Sequence, residues 1–221
     1  MLAINRIKGL ENSAQSNGED EIMDNSLQNL LSELEQFGEE NDQGTSERSQ
    51  RMLNITRDTG EFLAVLIRAT LARRVLEIGT SNGYSTLWLA DACNAIGGKV
   101  TTVELSEHKY NLAAENFKRS NLSSTIRQVQ ENAADFLSKS DEGVYDLIFL
   151  DSERVEYPGW WPDLKRVIRP GGLLVADNAL SHPDEIKAFI LMVEADPDFT
   201  TSLVPVGKGE FLATRSIDKN P

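Results

Sequence analysis

Apolar and polar positions divide this chain into three stretches. Residues 1–24 are polar, acidic and without period, the signature of a disordered arm that buries too little to fold. Leu27, Leu30, Leu31, Leu34 and Phe37 then recur at helical spacing and predict one amphipathic helix that closes near Gly38. A polar segment follows at 39–50. Phe62, Leu63, Val65, Leu66, Ile67 and Leu71 predict a second helix, with Asp58 three residues before Glu61 as a variant capping box at its start.

From residue 73 the period changes. Short apolar runs at Val75–Ile78, Val100–Val103, Ile126–Val129, Leu147–Leu150 and Leu173–Ala176 alternate with helical stretches near 84–95, 107–119, 133–139, 162–168 and 184–195. Strands separated by helices predict a doubly wound, mostly parallel sheet. Two more runs, Thr200–Val204 and Phe211–Thr214, flank Pro205-Val206-Gly207-Lys208-Gly209, which reads as a hairpin, and bring the expected sheet to seven strands. The predicted organisation is an arm over 1–24 and one α/β domain over 25–221, with N-terminal helices at 25–71 and the core at 72–221.

Open α/β sheets bind ligands beyond the carboxyl ends of their strands. The first run ends in Glu77-Ile78-Gly79-Thr80-Ser81-Asn82-Gly83-Tyr84-Ser85: strand, glycine-bearing turn, helix start. A dinucleotide loop carries a middle glycine that lets backbone approach a pyrophosphate. Ser81 stands there instead, which suits a nucleoside ligand without phosphates. The second run ends in Glu104, whose carboxylate can accept both hydroxyls of a ribose; alone, it could equally be a strand-end charge. Asn132-Ala133 after the third run offers either room for an adenine edge at Ala133 or an ordinary helix cap at Asn132.

Composition narrows the classes. The net charge is −13, and residues 1–50 carry 11 acidic against 3 basic side chains. An acidic surface repels phosphate backbones, so nucleic acid is not the expected partner. No apolar run approaches the roughly 20 residues that span a bilayer, and Arg6 and Lys8 precede no apolar stretch of the signal-peptide kind; the expected location is the cytoplasm. The single cysteine, Cys93, excludes an intrachain disulfide and a zinc cluster.

The stretches Val75–Ala90 (VLEIGTSNGYSTLWLA), Tyr145–Asp151 (YDLIFLD) and Arg169–Asn178 (RPGGLLVADN) resemble the bacterial metal-dependent O-methyltransferases of the catechol and caffeoyl-CoA group, and the resemblance extends over about 50–215. It implies a Rossmann-like class I fold that uses S-adenosylmethionine (SAM), which has no phosphates to cradle. It implies SAM contacts from Ile55, Gly79, Ser81, Ser85, Glu104, Ala133 and Asp151, which join Glu77 and Gly83 of the loop as the expected cofactor-binding residues, N-terminal helices that cap the site, and a homodimer. It also places a metal on Asp151, Asp177 and Asn178. Three oxygen donors without His or Cys suit a hard divalent cation, with Mg²⁺ the default. The implied acceptor is a small hydroxylated, catechol-like molecule.

One position departs from that group. Its catechol and plant members carry a lysine as general base three residues after the first metal aspartate, where this chain has Arg154. Arginine stays protonated at neutral pH, so Asp151 and Arg154 are the expected catalytic pair with Arg154 contacting a substrate oxygen or anion, unless it is simply ion-paired. His182 and Glu153 are the other proton-handling candidates. Tyr157, Trp160 and Trp161 could wall a flat substrate or belong to the core. A hydroxylated tRNA base as acceptor, a nicotinamide-dependent dehydrogenase and a SAM-binding protein without activity remain as alternatives.

Overall fold

A computed structural model describes residues 24–217; the expected acidic arm lies outside the described residues, save for Asp24. Seven strands form one sheet in the order β3-β2-β1-β4-β5-β7-β6. They are β1 (Arg74–Ile78), β2 (Lys99–Glu104), β3 (Ile126–Gln130), β4 (Tyr145–Leu150), β5 (Ile168–Ala176), β6 (Phe199–Val204) and β7 (Glu210–Arg215). The first five run parallel, and β7 lies antiparallel between β5 and β6.

The alternation of side chains along a strand divides the core between two faces. Val75, Leu147, Phe149, Leu173 and Val175 point to the face covered by α1 (Asn25–Gly44), α2 (Arg57–Thr70) and α3 (Tyr84–Ala95). Leu76, Ile78, Ile148, Leu150, Leu174 and Ala176 point to the face covered by α5 (Ala133–Lys139), α6 (Tyr157–Val167) and α7 (Pro183–Glu194). Phe117 of α4 (Glu107–Arg119) joins the first of these clusters. The helices α3, α4 and α5 begin and end where the apolar period places them.

Three expectations need correction. Helix α1 does not close at Gly38 but runs to Gly44. Gly38 is buried because the Asn54 side chain crosses it, with Nδ2 only 2.5 Å from where a Cβ would stand, so this glycine serves packing. The added turn carries Asp42, which accepts N–H bonds from Met52 (2.6 Å) and Leu53 (2.9 Å). Helix α2 is capped by Thr56; Asp58 sits in its first turn and accepts the Gly207 N–H at 3.1 Å, tying the helix to the β6–β7 hairpin. Helix α6 starts at Tyr157, because Pro158 fits a first helical turn. Pro162 sits inside the helix and does not begin it.

Among the described residues no helix is long and apolar enough to cross a membrane. Cys93 is free and buried.

Helices α2 and α3 meet through Gly60, where an added Cβ would stand 2.6 Å from the Trp88 indole. Trp88 is held by its own burial and by Arg57 above it, 5.8 Å from the ring centroid. Alanine normally improves a helix over glycine by about 1 kcal/mol. Gly60→Ala is nevertheless expected to destabilise the protein by about 1–3 kcal/mol through overpacking. Chemical denaturation checks this, and a stabilised variant would show that α2 and α3 are free to separate.

Candidate active site

The chain leaves β1 for β2 and β3 and returns to β4 beside β1, so the sheet has its topological switch point between β1 and β4, where open α/β sheets bind ligands. Gly79 closes this crevice at the bottom. Its φ is +108°, and a Cβ there would overlap the Asp151 carbonyl oxygen. The Asp151 N–H donates to the Ile78 carbonyl and the Gly79 N–H to the Val103 carbonyl, each at 3.0 Å, which draws the ends of β4, β1 and β2 together. Ser81 follows with φ +48° and donates its hydroxyl to the Met52 carbonyl at 2.7 Å. Glu104 accepts the Ser81 N–H at 2.9 Å and the Ser106 N–H at 2.8 Å. A carboxylate has about four lone-pair sites, so two more bonds to Glu104 can come from the cavity it lines.

Glu77 lies beneath this loop with no exposure. It accepts hydroxyl bonds from Ser85 (2.5 Å), Thr102 (2.6 Å) and Thr86. Burial pushes its carboxyl from 4.5 up to about 7 against the pull of those hydroxyls, and the Glu104 charge adds to the rise.

A second group of acids occupies the ends of β4, β5 and β7. Asn178 donates Nδ2 to Asp177 at 2.7 Å and to Asp151 at 3.3 Å, so three oxygen-bearing side chains converge. Burial raises both carboxyls. For Asp151 the Asp177 charge adds to the rise, and the Lys208 and Arg154 charges oppose it. Ala176 pairs with Phe211 across the antiparallel ladder, which sets Glu210 opposite Asp177. Glu210 is fully buried; its Oε1 accepts the Thr59 hydroxyl at 3.0 Å, and its Oε2 has no donor. Burial and the facing Asp177 charge push Glu210 far above the usual carboxylate range. A proton on Glu210 lets it donate to Asp177 and leaves one anion between the two.

One cavity of about 450 Å³ joins both groups, within the roughly 300–1,000 Å³ of ligand pockets. Of the expected site residues, Ile55, Gly79, Ser81, Ser85, Glu104, Asp151, Arg154 and Asn178 line it. Glu77, Gly83 and Asp177 stand behind the wall. Gly83 caps α3 at φ +88°, where a Cβ would press 2.5 Å from the Phe117 ring. Ala133 is not in the lining, and Asn132 is the helix cap, its Oδ1 accepting from the Ala134 N–H at 2.9 Å.

Arg154 is neither solvated nor free. It is 4% exposed and grips Glu185 through Nε (3.0 Å) and Nη2 (2.7 Å). His182 lines the cavity and shares a bond with the Ser181 hydroxyl, while Glu153 pairs with Arg48 at 3.6 Å. Tyr157, Trp160 and Trp161 form no substrate wall. All three are buried, with Tyr157 and Trp161 edge-on to Phe189, and the Tyr157 hydroxyl accepts the Ser152 N–H at 2.8 Å. Sequence reading missed Lys208, which lines the cavity, and Glu210. Their signal was the glycine-flanked hairpin, but its place beside β5 is set only by the antiparallel insertion of β7.

The chain matches the family model described as O-methyltransferase over residues 25–216. It is 32% identical to a catechol O-methyltransferase of Niastella koreensis over 61% of this chain and 62% of that protein, so this match spans somewhat under two thirds of the relative. Among solved structures it is similar to the O-methyltransferase of Bacillus cereus in complex with SAH, with TM-score 0.74 and 26% identity over 85% of this chain and 91% of that one. It is also similar to the O-methyltransferase TomG of Streptomyces achromogenes in complex with SAM, with TM-score 0.71 and 26% identity over 88% and 91%. The chain belongs to the O-methyltransferase family, whose members are SAM-dependent enzymes of this Rossmann-like fold.

The buried Glu77 makes stability depend on pH. Its carboxyl titrates near 7 folded and near 4.5 unfolded, so between these values the folded state binds more protons. Stability present below 4.5 is therefore lost as pH rises through about 7. Relative to wild type, Glu77→Gln is expected to gain in unfolding midpoint steadily from pH 5 to pH 8. Parallel midpoint curves for the two proteins would contradict this origin of the pH dependence.

Proposed function

We propose that this member of the O-methyltransferase family transfers the methyl group of SAM to a hydroxyl oxygen of a small, catechol-like aromatic acceptor, assisted by a divalent cation. The observation that carries the reading is the single cavity. One wall is the Gly79–Ser85 loop with Glu104, and the other is Asp151, Arg154 and Asn178.

On this reading Glu104 binds the ribose hydroxyls with its remaining lone pairs. Gly79 lets the nucleoside lie against the strand ends, and Ile55, Ser81 and Ser85 line its path. Glu77 acts from behind by fixing the Ser85 hydroxyl, and Gly83 by setting the helix start. Asp42 pins Met52 and Leu53, so the segment that covers the cavity is held by the last turn of α1.

The sulfonium of SAM is already a good leaving group. The remaining work is to hold the acceptor oxygen in line with the methyl carbon and to free it of its proton. Positioning two reactants can supply up to about 7–11 kcal/mol. Among the described residues no group of three or more His, Cys, Asp or Glu converges to hold a metal. A cation would therefore rest on the two carboxylates Asp151 and Asp177 and the amide of Asn178. The donor set fits a hard ion such as Mg²⁺, because all three side chains carry an oxygen donor and the carboxyls, Asp177 buried and Asp151 half-buried, have their charge only partly compensated. The Asn178 amide, whose Nδ2 now faces the carboxylates, would have to turn its oxygen inward. An ion held by Asp151, Asp177 and Asn178 would supply Lewis-acid help in freeing the acceptor hydroxyl of its proton.

Calorimetric titration tests the reading. SAM is expected to bind wild type, and Glu104→Ala to weaken it by about 10–100-fold, the loss of charge-assisted hydrogen bonds. Caffeic acid is expected to bind only with Mg²⁺ present and to fail with Asp177→Ala. No SAM binding would overturn the assignment of the cavity. SAM binding with no effect of metal or of Asp177 would overturn the acceptor chemistry.

A further inference from the structure

Resting on the methyltransferase reading, we propose that Lys208 is the catalytic cation of the acceptor site, holding the acceptor's oxygen as an oxyanion while it is methylated.

Four cationic side chains line the cavity: Arg48, Lys109, Arg154 and Lys208. Arg154 is bound to Glu185 through two of its nitrogens, and Arg48 is drawn to Glu153. Lys109 lies on α4, three residues after Ser106, which bonds Glu104, and so belongs to the nucleoside side. Lys208 remains on the acceptor side. Among the described residues it forms no ion pair, and its ammonium donates only to the Asn54 carbonyl, at 3.3 Å. It lines the same cavity as Asp151 and Asn178, and its charge opposes the rise of the Asp151 and Asp177 carboxyls.

The backbone around it is built to hold this position. The Lys208 carbonyl accepts the Leu180 and Ser181 N–H groups, each at 3.1 Å, and the Gly209 carbonyl accepts the Ala179 N–H at 2.8 Å. On the other side the Gly207 N–H donates to Asp58. Gly207 packs against the Thr59 hydroxyl, where a Cβ would clash, and a Cβ at Gly209 would stand 2.5 Å from Leu180. Two glycines thus let the hairpin pass between the start of α2 and the turn after Asn178, and Lys208 is the side chain delivered between them.

The chemistry follows from this placement. The acceptor hydroxyl gives its proton to solvent water, and the oxygen stays as an anion against the Lys208 ammonium. An oxygen lone pair then forms the new O–C bond to the methyl carbon as the S–C bond breaks, and that electron pair stays on sulfur. Lysine enters and leaves protonated. Fixed donors aimed at a developing oxyanion are worth about 10²–10³ in rate.

The test compares wild type, Lys208→Met and Lys208→Arg in two readouts. The first is the ionisation of bound 4-nitrocatechol, followed by its absorbance with Mg²⁺ present, which needs no turnover. The bound dye is expected to ionise at lower pH in wild type and Lys208→Arg than in Lys208→Met, by about one pH unit for one nearby charge. The second is kcat/KM for caffeic acid against pH. Lys208→Met is expected to lose about 100-fold and to shift the acid limb upward, Lys208→Arg to restore most of both, and SAM affinity to stay unchanged in all three. Dye ionisation that ignores Lys208→Met, or failure of the dye to bind, overturns the proposal. So does a Lys208→Arg protein as inactive as Lys208→Met, because a base cannot be replaced by arginine but a cation can. If SAM does not bind while the dye result holds, the methyltransferase reading fails and the anion-holding role of Lys208 stands.

Discussion

Three carboxyl groups, Glu77, Asp177 and Glu210, are withdrawn from water along one rim of the sheet with Asp151 half-buried beside them, and the remainder of the site is arranged around the cost of keeping them there. Each is managed differently. Three hydroxyls surround Glu77. Asp151 and Asp177 share the Asn178 amide and feel the charges of Lys208 and Arg154. Glu210 accepts the Thr59 hydroxyl and faces Asp177, whose charge joins burial in raising its carboxyl. Burying an unpaired charge costs several kcal/mol, so an uncompensated rim would loosen the strands that carry it. Of the four, Asp151 alone reaches the cavity, and the other three stand behind its wall.

The sheet order explains why the acids meet the nucleotide-type loop. Reversal of direction between β1 and β4 opens a crevice, and Gly79 is the residue whose missing Cβ lets the two strand ends close beneath it. A parallel pair alone would give two strand ends. The antiparallel β7, inserted next to β5, adds Glu210 and the hairpin from a part of the sequence more than thirty residues away from Asp177. The two walls of the cavity are thus built by different segments and joined by topology.

The parallel half of the fold was legible because each strand is a short apolar run and each helix has its own period. Gly79, Ser81, Glu104, Asp151 and Asn178 could be found because they follow those runs directly. Positions whose meaning depends on a distant partner could not be decided from the local sequence. Gly38 resembles a helix stop until Asn54 is seen lying across it. Arg154 resembles a free charge until α7 brings Glu185 to it. Trp160 and Trp161 resemble a binding wall until Tyr157 is seen against the first and Phe189 and Phe199 against the second. Ala133 fell at a plausible strand end, yet the cavity does not reach it. Glu210 and Lys208 had only the hairpin as a signal, and a hairpin sequence does not reveal which strand it will lie beside.

The hydrogen bond from Thr59 to Glu210 joins the second helix to the acid rim, and Asp58 to Gly207 repeats the link one residue earlier. The helical segment before residue 72 is therefore no detachable accessory to the sheet. A shortened chain beginning at β1 would keep every strand but would strip Glu210 and the hairpin of their partners and bare the apolar face of α3. Such a trimmed protein would be a poor minimal scaffold, because α1 and α2 fold as one unit with the sheet.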